Sequence, residues 1–188
     1  MGGSGTYSPS GGVAISGGVT LSPGTGGGSL GTYYVGSLSF GTGLTLGTGG
    51  IYTFAVENAG GVAGTDYDTV NVSGTLTVTA TPGSPFQINL TSFNSSGTLG
   101  LATFDPTLAY SWTLISAGSI SGFAATDFAI NTANFQNSLG GGAFNVLLVG
   151  NDLDLNFTPV PEPSTWLLMA AGLATLGACA YRTRRHRA

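Results

Sequence analysis

The sequence predicts an all-β, solenoid-like body with a terminal hairpin, followed by one C-terminal transmembrane helix. Apolar residues alternate with Ser, Thr and Gly along most of the chain, turn signals recur between these stretches, and an uncharged apolar run lies near the end. Period-two alternation is typical of half-buried strands, and a short turn about every ten residues is typical of solenoid coils. No strict repeat unit aligns within residues 1–50, so the solenoid is predicted from the alternation and the spacing of the turns and not from an exact repeat.

Residues 1–50 are predicted to be a Gly-rich, solenoid-like segment of short strands. Val13 to Leu21 gives two alternating stretches around Gly17 and Gly18, which punctuate them. Gly36 to Leu46 shows the same alternation. Its apolar residues, which alternate with Ser, Gly and Thr, are Leu38, Phe40, Leu44 and Leu46. Alternation with glycine breaks predicts strands joined by tight turns.

Residues 51–158 are predicted to be a β-rich body with longer strands, and the first of these begins at Ile51. In each of three further strands, the apolar side chains share one face. The first strand carries Val70, Val72, Leu76 and Val78, and the second, which follows the turn at Pro82–Pro85, carries Phe86, Ile88 and Leu90. The third carries Tyr110, Trp112 and Leu114, with its aromatic edge inward. Gly150-Asn151 lies between two apolar stretches and predicts a two-residue hairpin. Residues 127–136 are also compatible with a short helix, against which Phe128, Ile130 and the Gly-rich surroundings argue.

Charge divides the chain sharply. Charged residues are 6% of the sequence; all eight acids precede the apolar run and all four arginines follow it. Nucleic-acid binding is not expected, because phosphate neutralisation needs Lys or Arg on the binding face. The single cysteine, Cys179, lies in the apolar run, so the body can form no disulfide. The start of the chain shows no export signal, and we therefore expect it to be the C-terminal part of a longer protein.

The end of the chain divides into a Pro-rich segment 159–165, an apolar run 166–181 and a basic tail 182–188. At about 1.5 Å per residue the run gives roughly 24 Å of helix, a little less than the roughly 30 Å hydrocarbon core. Trp166 and Tyr181 bracket it as interface aromatics. The arginines set orientation and place the tail in the cytoplasm; they are Arg182, Arg184, Arg185 and Arg187.

Pro161, Glu162 and Pro163 keep the chain extended before the run and open to a protease, because proline lacks a backbone donor and resists helix. With the apolar run and the arginines, this order resembles the C-terminal signal of PEP-CTERM proteins, which an exosortase reads. The resemblance implies an inner-membrane precursor held in the lipid bilayer and cut near Pro161–Ser164. The body then reaches the cell surface or the extracellular space, in surroundings rich in exopolysaccharide. A plain C-terminal anchor is the alternative.

The body also resembles the end region of autotransporter-type β-helix repeat proteins over roughly residues 28–158. Gly64 to Gly74, the Gly140–Gly142 turn and the final hairpin carry this likeness. It implies an all-β, Gly/Ser/Thr-rich parallel β-helix end region. No outer-membrane barrel follows the body, so self-translocation is not implied.

Catalytic residues, cofactors and metals are not expected in the body. The only histidine, His186, lies in the basic tail, which removes histidine-based triads and metal sites. Two acidic pairs, Asp66 with Asp68 and Asp152 with Asp154, are read as turn and solvent-face residues, although paired carboxylates can serve glycosidases or ligate calcium. We therefore predict a non-catalytic surface or matrix protein.

Two alternatives to that function stay open at this point. One is an adhesin or carbohydrate-binding module with a concave aromatic display, formed by Tyr33, Tyr34, Tyr110 and Trp112. The other is a polysaccharide-degrading enzyme that depends on its carboxylates.

Overall fold

The computed structural model describes residues 1–24 and 34–160. This part of the chain is all-β, as predicted, with a single turn of 3-10 helix at Ala125–Asp127. Within these two ranges no helix is long and apolar enough to span a membrane; the predicted span 166–181 lies outside them. The strands are β1 (Gly2–Gly3), β2 (Gly5–Tyr7), β3 (Val13–Ile15), β4 (Thr20–Pro23), β5 (Ser37–Phe40), β6 (Leu44–Leu46), β7 (Ile51–Val56), β8 (Thr69–Val78), β9 (Phe86–Ser92), β10 (Tyr110–Ser121), β11 (Phe128–Asn134), β12 (Ala143–Val149) and β13 (Asp152–Thr158).

These strands form two sheets in which successive passes of the chain lie side by side in parallel. One sheet has the order β1-β4-β7-β9-β11, and all four of its pairings are parallel. The second has the order β12-β13-β10-β8-β5-β2, with β3 and β6 continuing it beside β8. Apolar positions align across it, since Leu38 pairs with Val70 and Val70 pairs with Ile115, and β10 shifts its register against β8 between Ala117 and Ser119. Strands from residues 1–50 and from residues 51–158 therefore share both sheets.

The apolar faces predicted from alternation are confirmed. The four apolar residues of β8 that were placed on one face are at most 5% exposed, and those of β5, β6 and β9 are equally buried. Because apolar positions pair across neighbouring strands, strands β3 to β13 add apolar residues to one continuous core. Burying a single Leu, Val, Ile or Phe side chain in this way contributes about 1.5–3 kcal/mol to stability relative to leaving it exposed.

The terminal hairpin is also confirmed. β12 and β13 pair antiparallel, and Val149 lies opposite Asp152, so the loop is Gly150-Asn151. Gly150 takes a φ of 62°, a conformation that costs glycine little and other residues more. β13 also pairs antiparallel with β10, which places the hairpin at the end of the parallel stack.

The competing helix at residues 127–136 does not form. Phe128–Asn134 is strand β11, which pairs in parallel with β9 through Phe128 with Phe86 and Ile130 with Ile88. β11 thus extends the five-stranded sheet at its edge. The pairing satisfies its backbone groups on that side, and this tertiary context decides between helix and strand.

Gly50 shows how closely the passes approach each other, and it gives a first testable prediction. A Cβ added there would contact the Ile15 carbonyl oxygen and would lie 2.7 Å from a carbon of the Phe86 ring. We expect Gly50→Ala to lower the free energy of unfolding by about 2–3 kcal/mol, as overpacking does. Gly60→Ala is the matched control, because a Cβ there meets no atom within 4 Å. Urea denaturation measures both; equal midpoints for the two variants would contradict the tight approach.

Candidate functional site

The residues predicted to carry sorting lie outside the part of the chain that the structure describes. This holds for the motif, the interface aromatics and the arginines: Pro161, Glu162, Pro163, Trp166, Tyr181, Arg182, Arg184, Arg185 and Arg187. Their roles stay predictions. The structure does describe the strand that leads to them, which ends at Thr158.

That strand, β13, is held on both sides. Phe157 lies opposite Tyr110 of β10 and Phe144 of β12, and Thr158 lies opposite Ala143. The Phe157 ring is 1% exposed, with its centroid 4.9 Å from that of Phe104. Val160, two residues beyond the strand, is 53% exposed. The described body is therefore paired and packed up to Thr158, the residue before Pro159.

Asp68 is the most unusual polar residue of the described body. It lies directly before β8 and is 1% exposed. One carboxylate oxygen accepts the Gly36 backbone N–H at 2.8 Å, and the other accepts the Ala55 N–H at 3.0 Å. Asp68 also donates its own N–H to the Ala55 carbonyl at 2.9 Å. The solvent-face interpretation of Asp68 was wrong: the side chain ties together three passes of the chain.

Burial dominates the chemistry of this carboxyl. Desolvation raises the pKa of Asp68 to about 8, although the hydrogen bonds from Ala55 and Gly36 act in the opposite direction. Burial also raises the pKa of Tyr52 well above its ordinary value, and the negative charge of Asp68 adds to that rise. Asp68 therefore binds a proton more readily than an ordinary aspartate does.

A cavity of about 290 Å³ lies beside this carboxyl, and we call it the Asp68 cavity. It lies against the outer side of the five-stranded sheet, because its strand residues alternate with the core residues Leu21, Phe54 and Leu90, each 0% exposed. Hydroxyl, amide and carboxylate groups line it together with apolar side chains: Thr20, Ser22, Pro23, Tyr34, Thr53, Ala55, Asp68, Thr91, Phe93, Leu99 and Asn134.

The other acidic residues are placed separately. Asp66 accepts the Val62 N–H at 2.8 Å within a turn, which fits its predicted turn role. Asp154 is 9% exposed, so it is not a solvent-face residue as predicted; one of its oxygens has no hydrogen-bond partner, and the Ser111 hydroxyl lies 3.2 Å from the other. Across residues 1–24 and 34–160 no group of three or more His, Cys, Asp or Glu side chains could hold a metal.

The described members of the predicted aromatic display, Tyr34, Tyr110 and Trp112, do not share one exposed surface. Trp112 is 0% exposed and donates its indole N–H to the Ala59 carbonyl at 2.8 Å. Tyr110 stacks on it with centroids 5.7 Å apart and is half-buried. Tyr34 is 59% exposed, and Tyr33 lies outside the described residues. The prediction that Trp112 lies on the inward face of its strand is confirmed, and that face packs in the core.

Comparison with known families gives a match at the end of the chain. Residues 159–185 match the family model described as the PEP-CTERM protein-sorting motif. The chain carries a PEP-CTERM sorting motif. This motif indicates an exported protein that an exosortase sorts to the cell surface. No curated protein and no solved structure gives a significant match, so the autotransporter-type likeness of the body stays a prediction.

The PEP-CTERM motif begins one residue after the body ends. β13 stops at Thr158 and the match starts at Pro159. The composition of the sequence also changes at this point, from Gly, Ser and Thr to Pro. Sequence reasoning missed the Asp68 cavity, whose lining is contributed by residues as far apart as Thr20 and Asn134. The one local signal is an acid placed directly before the apolar strand β8.

Proposed function

We propose that this chain is a non-catalytic structural protein of the cell surface or extracellular matrix, delivered through its PEP-CTERM motif. The observation that carries the proposal is the match at residues 159–185, placed immediately after a packed body. Every described strand lies before Pro159. A cut near Pro161–Ser164 therefore removes the motif without removing any strand pairing.

We propose further that the body is the end region of a parallel β-helix. Support comes from the parallel, in-register stacking of β5 on β8 and of β8 on β10. The antiparallel hairpin at the end of the stack supports the same reading, because it pairs with β10 and covers that sheet edge. Stacked coils of this kind suit an extracellular body that has no disulfide.

The precursor is proposed to be held in the inner membrane by residues 166–181. The run is uncharged, and the arginines that follow favour a cytoplasmic tail. This orientation puts the body and the Pro-Glu-Pro segment on the side where an exosortase would cut. Support for the absence of catalysis comes from residues 1–160, which contain no histidine, lysine, arginine or cysteine.

Intact mass of the surface fraction from the native host tests this route. We expect the mature protein to retain Thr158 and to lack residues 166–188. A variant with all four arginines changed to glutamine should accumulate as uncut precursor, because orientation and retention depend on those charges. Glu57→Gln, a charge change within the body, is the control and should be processed normally. Mature surface protein that still carries its C-terminal arginines would refute the proposal.

A further inference from the structure

The Asp68 cavity has the chemistry of a binding site for an uncharged sugar, and we propose that it binds a neutral hexose unit of a glycan. The site is separate from the sorting segment and does not depend on how the chain is exported. Its volume of about 290 Å³ is of the order that small-molecule sites occupy. Hydroxyl and amide groups line it, and the body offers no basic side chain that could bind an anion there.

Hydroxyl groups dominate the polar lining. Ser22 is on β4, Thr53 on β7 and Thr91 on β9, which are neighbours in one parallel sheet. Neighbouring strands lie about 4.8 Å apart. Thr91 lies opposite Ala55 of β7 and Asn134 of β11, two residues along from the position opposite Thr53. Each hydroxyl can donate one hydrogen bond and accept others, so the patch that they form can match the hydroxyls of a sugar ring in either direction. Asn134 on the next strand adds an amide with both functions.

Asp68 supplies the buried acceptor. Each of its carboxylate oxygens accepts one backbone N–H, from Gly36 or from Ala55. A carboxyl oxygen has room for a second hydrogen bond, and the protonated group can also donate one, so a sugar hydroxyl can bond to Asp68 without displacing either backbone donor.

No basic side chain is available to pair with an acidic ligand. Residues 1–160 contain no lysine or arginine, so no side chain of the body can pair with a phosphate, sulfate or uronate. The amino group of Met1 donates a hydrogen bond to the Thr20 carbonyl. The rim is apolar: Tyr34 and Leu99 line the cavity and are 59% and 53% exposed. Such side chains can cover the C–H face of a sugar while the hydroxyls reach inward.

Saturation-transfer NMR on the full chain tests this site, in a detergent that has no sugar headgroup. The probes are the methyl glycosides of glucose, galactose, mannose and N-acetylglucosamine, with methyl glucuronide as the acidic comparison. We expect saturable binding of at least one neutral probe and none of the glucuronide. Thr53→Val should weaken that binding about fivefold, the effect of one lost hydrogen bond.

Thr45→Val is the matched control, because Thr45 lies on β6 in the other sheet and does not line the cavity. It should leave the affinity unchanged. Ser22→Ala serves as a second cavity variant if Thr53→Val does not fold, and the same weakening is expected. Three results would overturn the proposal: no saturable binding of any neutral probe, equal binding of the glucuronide, or equal losses in the cavity and control variants.

Discussion

Trp112→Ala is expected to lower the free energy of unfolding by about 4 kcal/mol, a large part of the roughly 5–15 kcal/mol that stabilises a domain. The indole is 0% exposed, and its N–H is bonded to the Ala59 carbonyl at 2.8 Å. Its ring centroid lies 5.7 Å from Tyr110, 5.9 Å from Phe144 and 6.0 Å from Phe54. Alanine would leave a cavity among these rings and an unpaired carbonyl.

Urea unfolding of the full chain, followed by far-UV circular dichroism, measures this loss. Trp112→Phe keeps a six-membered ring and loses the remainder of the indole together with the hydrogen bond to Ala59, so we expect an intermediate loss of about 2 kcal/mol. Tyr34→Ala is the surface control, because Tyr34 is 59% exposed, and it should change stability by about 0.5 kcal/mol or less. A Trp112→Ala loss as small as that of Tyr34→Ala would place the indole outside the core.

The faces of the strands were predictable because side chains alternate strictly along a strand. The even-numbered positions of β8 are apolar at Val70, Val72, Leu76 and Val78, and a single buried side satisfies all of them. The same reasoning found the hairpin, since a Gly-Asn pair between two apolar stretches has few other uses. Both inferences need only neighbours in sequence.

The cavity and the buried acid were not predictable because they depend on contacts between distant passes. Asp68 and Asp66 are two apart, which places them on one side only if the chain is a strand there. Instead a turn precedes β8: Val62 N–H bonds Asp66, and Gly64 N–H bonds the Tyr67 carbonyl. That turn places the Asp68 carboxyl within hydrogen-bond distance of the Gly36 and Ala55 backbone N–H groups. No local pattern encodes those two partners.

The same limit explains the error about the aromatic display. Alternation correctly placed Trp112 on the inward side of β10, but it does not say whether the inward side is an open concave surface or a filled core. The answer comes from Ala59, Phe54 and Phe144, which belong to other parts of the chain and close over the indole. The sorting motif was easier to predict from the sequence, because its three parts are consecutive in the chain.

Asp68 should make the body less stable as the pH rises. Its pKa is about 8 in the folded chain against 3.8 for the free side chain, so between these values the native state binds a proton that the unfolded state releases. Stability is then fully present below about pH 4 and falls as the pH rises towards 8. The full difference corresponds to about 6 kcal/mol. Tyr52 and Tyr67 have pKa values raised above 10.0 and do not titrate in this window.

Urea midpoints at a series of pH values from 4 to 9 measure this slope, and the comparison with Asp68→Asn isolates it. The amide keeps the shape and carries no charge, so we expect the variant to lose most of the decline between pH 4 and 8. Asp105→Asn is the control: Thr107 hydrogen bonds lower the pKa of Asp105, so its contribution is lost only as the pH falls. A decline of equal size in Asp68→Asn, or a stability that rises from pH 4 to 8, would show that Asp68 is ionised in the folded protein and that its two backbone donors outweigh its burial.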